Sequence, residues 1–517
     1  MKQPYTMDSI FESTGSFRTY QIAMIALIGG ISSLSSMCIY ATVFTAAVPD
    51  FICHDNSTNK CDLWKNETTR KECKFQETYY SKTIITEWDL VCDREILASI
   101  TQTLHMIGAV CCFFTGYFGD RFGRRTTTLV FLTLLSLILI ISEFCSLEVF
   151  KTSIMTRYIV YAVGQFLIGL VVNCCYCIAY VLLLELTSSR YRTTFSNINS
   201  YIYVIGELNV MIGYYLFKNW HYLNYFIILY SLVALVLAYI FLPESPQWLI
   251  SLGRHKDAYN LLYRIAKINK RKKQFIKDYN DDLTKFNLTS YNLDDETDSD
   301  KSSEDNIVNE KSSNNSSSNT FFRIFYPRKM FIKTAILIYV WFALNLLYYG
   351  MSLGITSIKA IDPYYMFFFS CIAEILGVIL CRYNDIYGRR KTFSAFLILS
   401  GVTCIIVAAI PHGYETSDTI GIVEVLIVIF ALIGKGAISG AYNIIYIYTS
   451  ELYTTNVRNT AVLFLVCIGS LGSLIAPQIN FLRSVLWKQL PYIIFGVNSL
   501  VASFCVIFLP ETMVKSF

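Results

Sequence analysis

The sequence predicts an all-α polytopic membrane protein whose twelve transmembrane helices form two six-helix bundles. Three observations carry that expectation: the composition, the recurrence of long apolar runs, and a set of short motifs that occurs twice. Of 517 residues, 54% are hydrophobic and 16% charged, whereas an ordinary soluble domain has roughly 45–50% apolar and about 25% charged residues. Crossing a hydrocarbon core takes about 20 apolar residues in a helix. Runs of that kind fall at 20–48, 96–118, 126–146, 156–184, 195–217, 222–242, 331–353, 363–382, 392–410, 419–448, 460–482 and 491–509, numbered here helix 1 to helix 12. The first run follows nineteen mixed, polar residues and is too long for the core of a signal peptide, so it reads as a permanent helix.

The loops orient the bundle. Arg121, Arg124 and Arg125 follow helix 2, Arg190 and Arg192 follow helix 4, and Arg389, Arg390 and Lys391 follow helix 8. Basic residues in short loops mark the cytoplasmic side, so both termini are expected there, in a multi-pass protein of the plasma membrane. The formal net charge of +5 has the same topological explanation, and a nucleic-acid partner is set aside. The long loop at 49–93 faces the oxidising side. It holds Cys53, Cys61, Cys73 and Cys92 and the sequons at Asn56 and Asn66, as expected of an extracellular, disulfide-bonded and glycosylated segment. Four cysteines allow three pairings, which sequence does not resolve. They lack the close C-x-x-C pairs of structural zinc sites, so no metal is expected. The other twelve cysteines lie in apolar helices as small buried hydrophobes.

The repeated motifs are the most specific signal. D-R-F-G-R-R runs from Asp120 through Arg121 and Gly123 to Arg124 and Arg125 after helix 2. D-I-Y-G-R-R runs from Asp385 through Gly388 to Arg389 and Arg390 after helix 8. Glu185 precedes Arg192 by seven residues, as Glu451 precedes Arg458, and P-E-S at Pro243 is matched by P-E-T at Pro510. The three separations are 265, 266 and 267 residues. One basic turn has a topological explanation; three motifs in register are a duplication. The expected domains are 1–248, a cytoplasmic helical and flexible linker at 249–330, and 331–517. Two halves related about the membrane normal are the layout of the major facilitator superfamily, with a substrate site between them near the midplane and transport by alternating access.

The repeated charges read as gates. Asp120 and Asp385 stand beside arginines at helix ends, and a glycine in each turn permits backbone angles closed to other residues. Glu185 with Arg192, and Glu451 with Arg458, are expected to pair across the cytoplasmic face in the outward-facing state and to part when the cavity opens inward. Glu244 of P-E-S is grouped with them. In the linker, Gly253 to Lys273 is basic with helical period and is placed on the membrane surface. Asp278 to Asn319 is too rich in Asp, Ser and Asn to bury a core.

With these residues in place, the chain resembles the organic cation, organic anion and carnitine transporter family over nearly its full length. The resemblance is carried by the cysteine-bearing first loop, W-D-L-V-C-D-R at Trp88 to Arg94, and D-R-F-G-R-R at Asp120. It continues in P-E-S-P-Q-W-L at Pro243 to Leu249, W-F-A-L-N-L-L-Y-Y-G at Trp341 to Gly350, and S-E-L-Y-T-T-N-V-R-N at Ser450 to Asn459. It implies facilitated or exchange transport of charged organic molecules such as quaternary amines, carnitine-like zwitterions or organic anions. Separately, no cofactor and no obligate protein partner are expected. The chain departs from the family at Gln247 and Gln165, where relatives usually have arginine. It departs again at Ser470, where cation carriers have aspartate and anion or carnitine carriers arginine, and at Val378, where anion carriers tend to have lysine.

Helical stripes outline the cavity. Helix 10 carries Lys435, Ser439, Tyr442, Asn443 and Tyr446 on one face, helix 8 Phe367, Cys371, Glu374, Val378 and Arg382, and helix 5 Ser200, Tyr203, Glu207, Met211 and Tyr214. Tyr348 and Tyr349 add rings from helix 7, and Trp220 is placed at the outer end of helix 5. Glu207, Glu374 and Lys435 are functional candidates because ionisable groups at membrane depth are costly. Carboxylates among aromatic rings suit an organic cation, each ring adding about 0.5–2 kcal/mol. The leading expectation is a uniporter or exchanger of organic cations or zwitterions such as carnitine. An organic anion transporter anchored on Lys435 and a non-transporting receptor or scaffold are the alternatives. No G-x-x-x-x-G-K-[ST] loop is present for an ATP-driven pump. No voltage-sensor spacing of arginines and no converging catalytic group support a channel or an enzyme.

Overall fold

The computed structural model describes residues 7–47, 80–146, 153–279, 328–357, 361–410, 422–453 and 455–512, with short pieces at 49, 51–52, 64 and 74–75. Helix 1 is Thr19–Thr45, helix 3 Arg124–Ser146, helix 4 Ile154–Glu185, helix 5 Arg192–Phe217 and helix 6 Trp220–Phe241. The second half has helix 7 at Arg328–Gly354, helix 8 at Pro363–Leu380, helix 9 at Arg389–Ala409, helix 10 at Ile422–Leu452 and helix 12 at Leu490–Ile507. Two spans are broken. Helix 2 is Glu95–Val110 and Thr115–Phe122, bent by 43° across a 3-10 turn at Cys111–Phe114. Helix 11 passes from Thr455–Gly469 to Leu471–Val485 at Ser470, with Pro477 in its second segment.

Ten of these helices are long and apolar enough to cross a membrane, and helix 2 makes eleven if its bent pair is one span. Helix 5 does not meet the same measure of apolarity. Its 26 residues span about 39 Å, enough for a hydrocarbon core of about 30 Å, but Ser196, Asn197, Asn199, Ser200, Glu207 and Asn209 dilute its hydropathy. These polar residues are buried or half-buried, while Ile205, Ile212 and Leu216 are exposed, so the polar side of the helix faces protein or a cavity rather than lipid.

The duplication is visible in the packing. Helix 2 crosses helix 4 where a Cβ on Gly108 would lie 2.1 Å from the Phe166 carbonyl oxygen and one on Gly169 2.0 Å from that of His105. Helix 8 crosses helix 10 where a Cβ on Gly377 would lie 2.1 Å from the Gly436 carbonyl oxygen. The same pair of spans in each half thus meets backbone to backbone, the close approach small residues allow in membranes. Between the halves, helix 5 packs on helix 8, and the first segment of helix 2 packs on the second segment of helix 11.

On the basic face, Pro246–Ser251, His255–Ile268 and Lys272–Tyr279 follow helix 6. The stretch expected on the membrane surface instead buries its apolar stripe, Ala258, Leu262, Ile265 and Ala266, against protein. It contacts the N-terminal helix Met7–Thr14 and helix 1. Asn269 fixes this arrangement: its amide donates to the carbonyls of Thr14 and Gly15 and to Gln21, and its Oδ1 accepts the Tyr20 N–H at 3.0 Å. Phe51–Ile52 and Lys74–Phe75 form a two-residue antiparallel ladder in the first loop. Cys53, Cys61, Cys73, Asn56, Asn66, most of the flexible linker and the side chains of Asp385 and Arg458 lie outside the described residues. Twelve described cysteines have free thiols, and Cys92 is not among them.

Candidate functional site

The two repeated turns have the same construction. Gly123 has φ +92° and Gly388 φ +100°, left-handed angles that favour glycine. Each opens the next helix, and a carboxylate from the end of the same half caps it. Glu244 Oε1 accepts the N–H groups of Arg124 and Arg125 at 2.8 and 3.1 Å, and Glu511 Oε1 those of Arg389 and Arg390 at 2.7 and 3.3 Å. These acids lie where the helix dipole favours negative charge. Glu511, the partner of Glu244 in the repeat, was not singled out from sequence, although P-E-T held the signal.

The expected partner of Glu185 is corrected. Glu185 ends helix 4 and binds Arg124 Nε at 3.0 Å, not Arg192, and Arg124 also reaches Asp120 at 2.8 Å. Glu451 likewise binds Arg389 at 3.2 Å. Both observed pairs lie inside one half, so in this conformation they tie helix ends together within each bundle rather than bridging the bundles. Arg121 is exposed and rests against Tyr117 and Phe122. Arg125 and Arg390 donate to carbonyls at the ends of helices 6 and 12.

Trp220 is also corrected. Its indole N–H donates to Glu87 Oε2 at 2.8 Å, and its ring packs on Trp88 and Tyr161. It belongs to an outer network in which Glu87 and Glu143 take the two ring nitrogens of His221 at 3.0 and 2.6 Å. Burial pushes the Glu87 carboxyl up, but hydrogen bonds from His221 and Trp220 and the charges of His221 and Lys82 hold it below its ordinary value. This network fastens the short helix Ile84–Trp88 over helices 3 and 6.

The remaining polar stripes converge. Glu374 of helix 8 and Lys435 of helix 10 form an ion pair, both nearly fully buried. Lys435 also donates to Ser352, and its Nζ lies 4.1 Å from the centre of the Tyr348 ring. The Tyr348 hydroxyl donates to Glu374 Oε2 at 3.2 Å. From the other half, Glu207 is 2% exposed. Its Oε2 accepts the Cys371 thiol at 3.7 Å, and its Oε1 has no hydrogen-bond partner among the described residues. The cluster thus carries two carboxyl groups against one ammonium.

Rings line the space around these groups. Tyr40 of helix 1 meets Tyr203 and Phe367 at 6.5 and 6.1 Å, and Tyr348 stacks on Tyr442 at 4.8 Å and meets Tyr349 edge-on at 5.3 Å. Tyr446 packs on Trp341 at 4.8 Å. Asn443 Oδ1 accepts the Ser200 hydroxyl across the halves at 3.4 Å. Ser470 sits at the break in helix 11, next to Gly469, which abuts Trp341 and Asn345. Gln165 lies higher and pairs with His105 at 3.2 Å.

Accessibility gives the cavity a direction. On the loop-1 side Phe44, Tyr214, Tyr364 and Phe367 are buried and interlock, with Phe44 stacked between Tyr214 at 5.5 Å and Tyr364 at 5.8 Å. There too Gln478 of helix 11 donates to Thr103 of helix 2 at 2.9 Å. Toward the basic face Tyr176, Tyr349 and Tyr442 are part-exposed and Tyr446 is exposed. The cavity therefore opens to the basic face and is closed on the other. Tyr40, Phe44 and Tyr364 were not singled out from sequence, where they stand among many aromatics; Tyr40 and Phe44 at i and i+4 on helix 1 were the available signal.

The profile of the family described as "Sugar (and other) transporter" matches residues 28–517. Solute carrier family 22 member 15 of Xenopus tropicalis is 28% identical over 83% of this chain and 73% of its own length. Organic cation transporter 1 of Caenorhabditis elegans is 26% identical over 99% of this chain and 87% of its own. A solved structure of the xylose transporter XylE from E. coli, in a partially occluded inward open conformation, superposes with a TM-score of 0.63. It is 14% identical and covers 96% of this chain and all of its own, so it speaks to fold.

Proposed function

The chain belongs to the sugar (and other) transporter family and is a membrane transporter, and from that premise we propose that it carries organic cations or zwitterions such as carnitine. One observation carries the choice of charge. Lys435, the anchor an organic anion would need, is paired with Glu374, while Glu207 keeps a carboxyl oxygen without a hydrogen-bond partner among the described residues. A cation entering among Tyr40, Tyr203 and Tyr349 meets that carboxyl and the ring faces together, each ring adding about 0.5–2 kcal/mol.

The basic face is assigned to the cytoplasm and the loop-1 face to the outside of the plasma membrane. The observed state is then inward-facing. The Arg124–Glu185 and Arg389–Glu451 pairs, with their glycine turns, serve as braces that keep each bundle rigid as it rocks. The first-loop cysteines form disulfides, and Asn56 and Asn66 carry glycans. A cation is drawn inward by the membrane potential, about 2.3 kcal/mol per charge per 100 mV.

The test is uptake of tetraethylammonium, carnitine and an aryl carboxylate at two membrane potentials, in wild type and Glu207→Gln. Cation uptake should fall on depolarisation, and the substitution should lower it at least tenfold while surface abundance is kept. Uptake of the aryl carboxylate alone would establish the anion reading. Surface protein that moves none of the three would favour a receptor or scaffold.

A further inference from the structure

Apart from the transport cavity, a second cavity of about 380 Å³ lies on the basic face. Its walls come from three separate stretches of chain. Glu12, Phe17 and Arg18 come from the segment leading into helix 1, Arg190 and Tyr191 from the turn between helices 4 and 5, and Arg271 from the linker. Three guanidiniums against one carboxylate leave a net charge of +2 on the lining. Among the described residues, no carboxylate lies within ion-pair distance of Arg18 or Arg190, and Arg271 donates to the neutral Gln274. By contrast, Arg124 and Arg389 on the same face are each held by a glutamate.

The cavity is built rather than incidental. Gly15, with φ +94°, lets the chain turn so that the Arg18 stem folds over it; a Cβ there would lie 2.9 Å from Arg18 Cδ. Asn269, two residues before Arg271, pins the Thr14 and Gly15 carbonyls and so fixes the linker wall against the helix 1 wall. The Arg190 guanidinium sits 5.6 Å from the centre of the Tyr191 ring, which orients it. Guanidiniums from three stretches of chain, with no carboxylate partner among the described residues, line one cavity and match the oxygens of a phosphate group, which each can grip with two parallel N–H bonds.

We propose that this cavity binds a phosphate-bearing anion and thereby clamps the linker to the cytoplasmic ends of helices 1 and 5. Arg18 immediately precedes helix 1 and Arg190 nearly abuts helix 5, so the site lies at the depth where those spans leave the bilayer. Phe17, 42% exposed, stands beside it as an apolar contact for an acyl chain. The source is therefore a phosphorylated lipid headgroup or a soluble phosphate ester, and both present the same chemistry. Occupancy would stiffen the cytoplasmic end of the first bundle against the linker and so bias the conformational equilibrium.

The experiment uses the full chain in phosphatidylcholine nanodiscs with three probes: phosphatidylinositol bisphosphate in the disc, soluble inositol trisphosphate, and inorganic phosphate. Binding of the lipid probe is expected, weakened more than tenfold by the combined Arg18→Gln, Arg190→Gln and Arg271→Gln substitutions, at about fivefold per arginine. Glu12→Gln should tighten it. Equal competition by inositol trisphosphate would assign the site to the headgroup chemistry alone, and saturation by inorganic phosphate to a free anion; both support the proposal. A triple variant that melts like wild type yet binds the lipid equally well overturns it, as does wild-type protein that binds none of the three probes.

Discussion

Lys435 on helix 10 and Glu374 on helix 8 neutralise each other at 1% and 3% side-chain exposure, so the charge of the site is set by a third residue, Glu207. Removing one partner of a buried pair leaves the other as an uncompensated charge, typically a loss of about 3–5 kcal/mol, whereas replacing both by apolar groups is often neutral. Lys435→Met should therefore lower the unfolding temperature of the purified protein sharply. Lys435→Met combined with Glu374→Met should recover most of that loss. A double variant as unstable as the single one would mean that the two residues do not act as a unit.

The glycine turns allow a comparison inside one molecule. At Gly123 and Gly388 an alanine meets two obstacles: a positive φ, and a Cβ 2.5 Å from Glu244 Oε2 or 2.8 Å from Glu511 Oε2. At Gly253 φ is +72° but nothing lies within 4 Å of the added carbon. Gly253→Ala should cost only the left-handed strain, about 1–2 kcal/mol. Gly123→Ala and Gly388→Ala should cost more, because the cap must also move. Thermal unfolding of the three variants ranks them, and equal losses would show that the carboxylate caps contribute nothing.

Glu87 gives the outer network a pH dependence of known sign. Its folded carboxyl is held below the ordinary value of 4.5, burial opposing and the His221 and Trp220 hydrogen bonds and the His221 and Lys82 charges favouring the ionised form. The stabilisation is fully present above that ordinary value and is lost as pH falls below about 4.5 through the depressed folded value. Hydrogen-exchange protection factors at 84–88, corrected for the slower intrinsic exchange in acid, should therefore fall on acidification in wild type. Glu87→Gln should exchange faster at neutral pH and show a flatter acid response. Identical profiles would remove Glu87 from the network that fastens this helix.

The residues differ in how far sequence could place them. Glu207, Glu374 and Lys435 were recognisable because an ionisable group on an apolar helix must face away from lipid, and three such stripes leave little choice but a shared interior. The duplication was legible for a different reason: turn motifs are local and were copied whole. Partners were harder to read. Arg192 lies seven residues from Glu185, but the intervening 3-10 turn at Ser189–Tyr191 separates the helix ends, and helix packing brings Arg124 from 61 residues away. Trp220 was misplaced because a tryptophan at a helix end suits a cavity rim as well as a buried loop anchor; only the fold of the first loop, with Glu87 and Trp88, decides between them. Pocket walls such as Tyr40 and Tyr364 depend on which aromatic faces meet across the two halves, which periodicity within one helix does not contain.

Among the described residues, closure on the loop-1 side includes two contacts between halves that can be removed one at a time, and that makes the conformational balance adjustable. The Gln478–Thr103 hydrogen bond joins helix 11 to helix 2 there, and Tyr364 of helix 8 stacks on Phe44 of helix 1. Both must break for the cavity to open to the loop-1 side, while neither touches the Glu374–Lys435 pair. A hydrogen bond contributes a net 0.5–1.5 kcal/mol or about that, and an aromatic pair about 0.5–1.5 kcal/mol beyond its burial. Gln478→Ala should shift the equilibrium toward the state open on the loop-1 side by a few-fold, and Gln478→Ala with Tyr364→Ala by more than tenfold. The shift is read as stronger labelling of a cysteine introduced at Ser352 by an impermeant thiol reagent added from the loop-1 side, in a background where the native thiols are blocked or replaced. Unchanged labelling, with the fold intact, would show that other contacts hold this face shut.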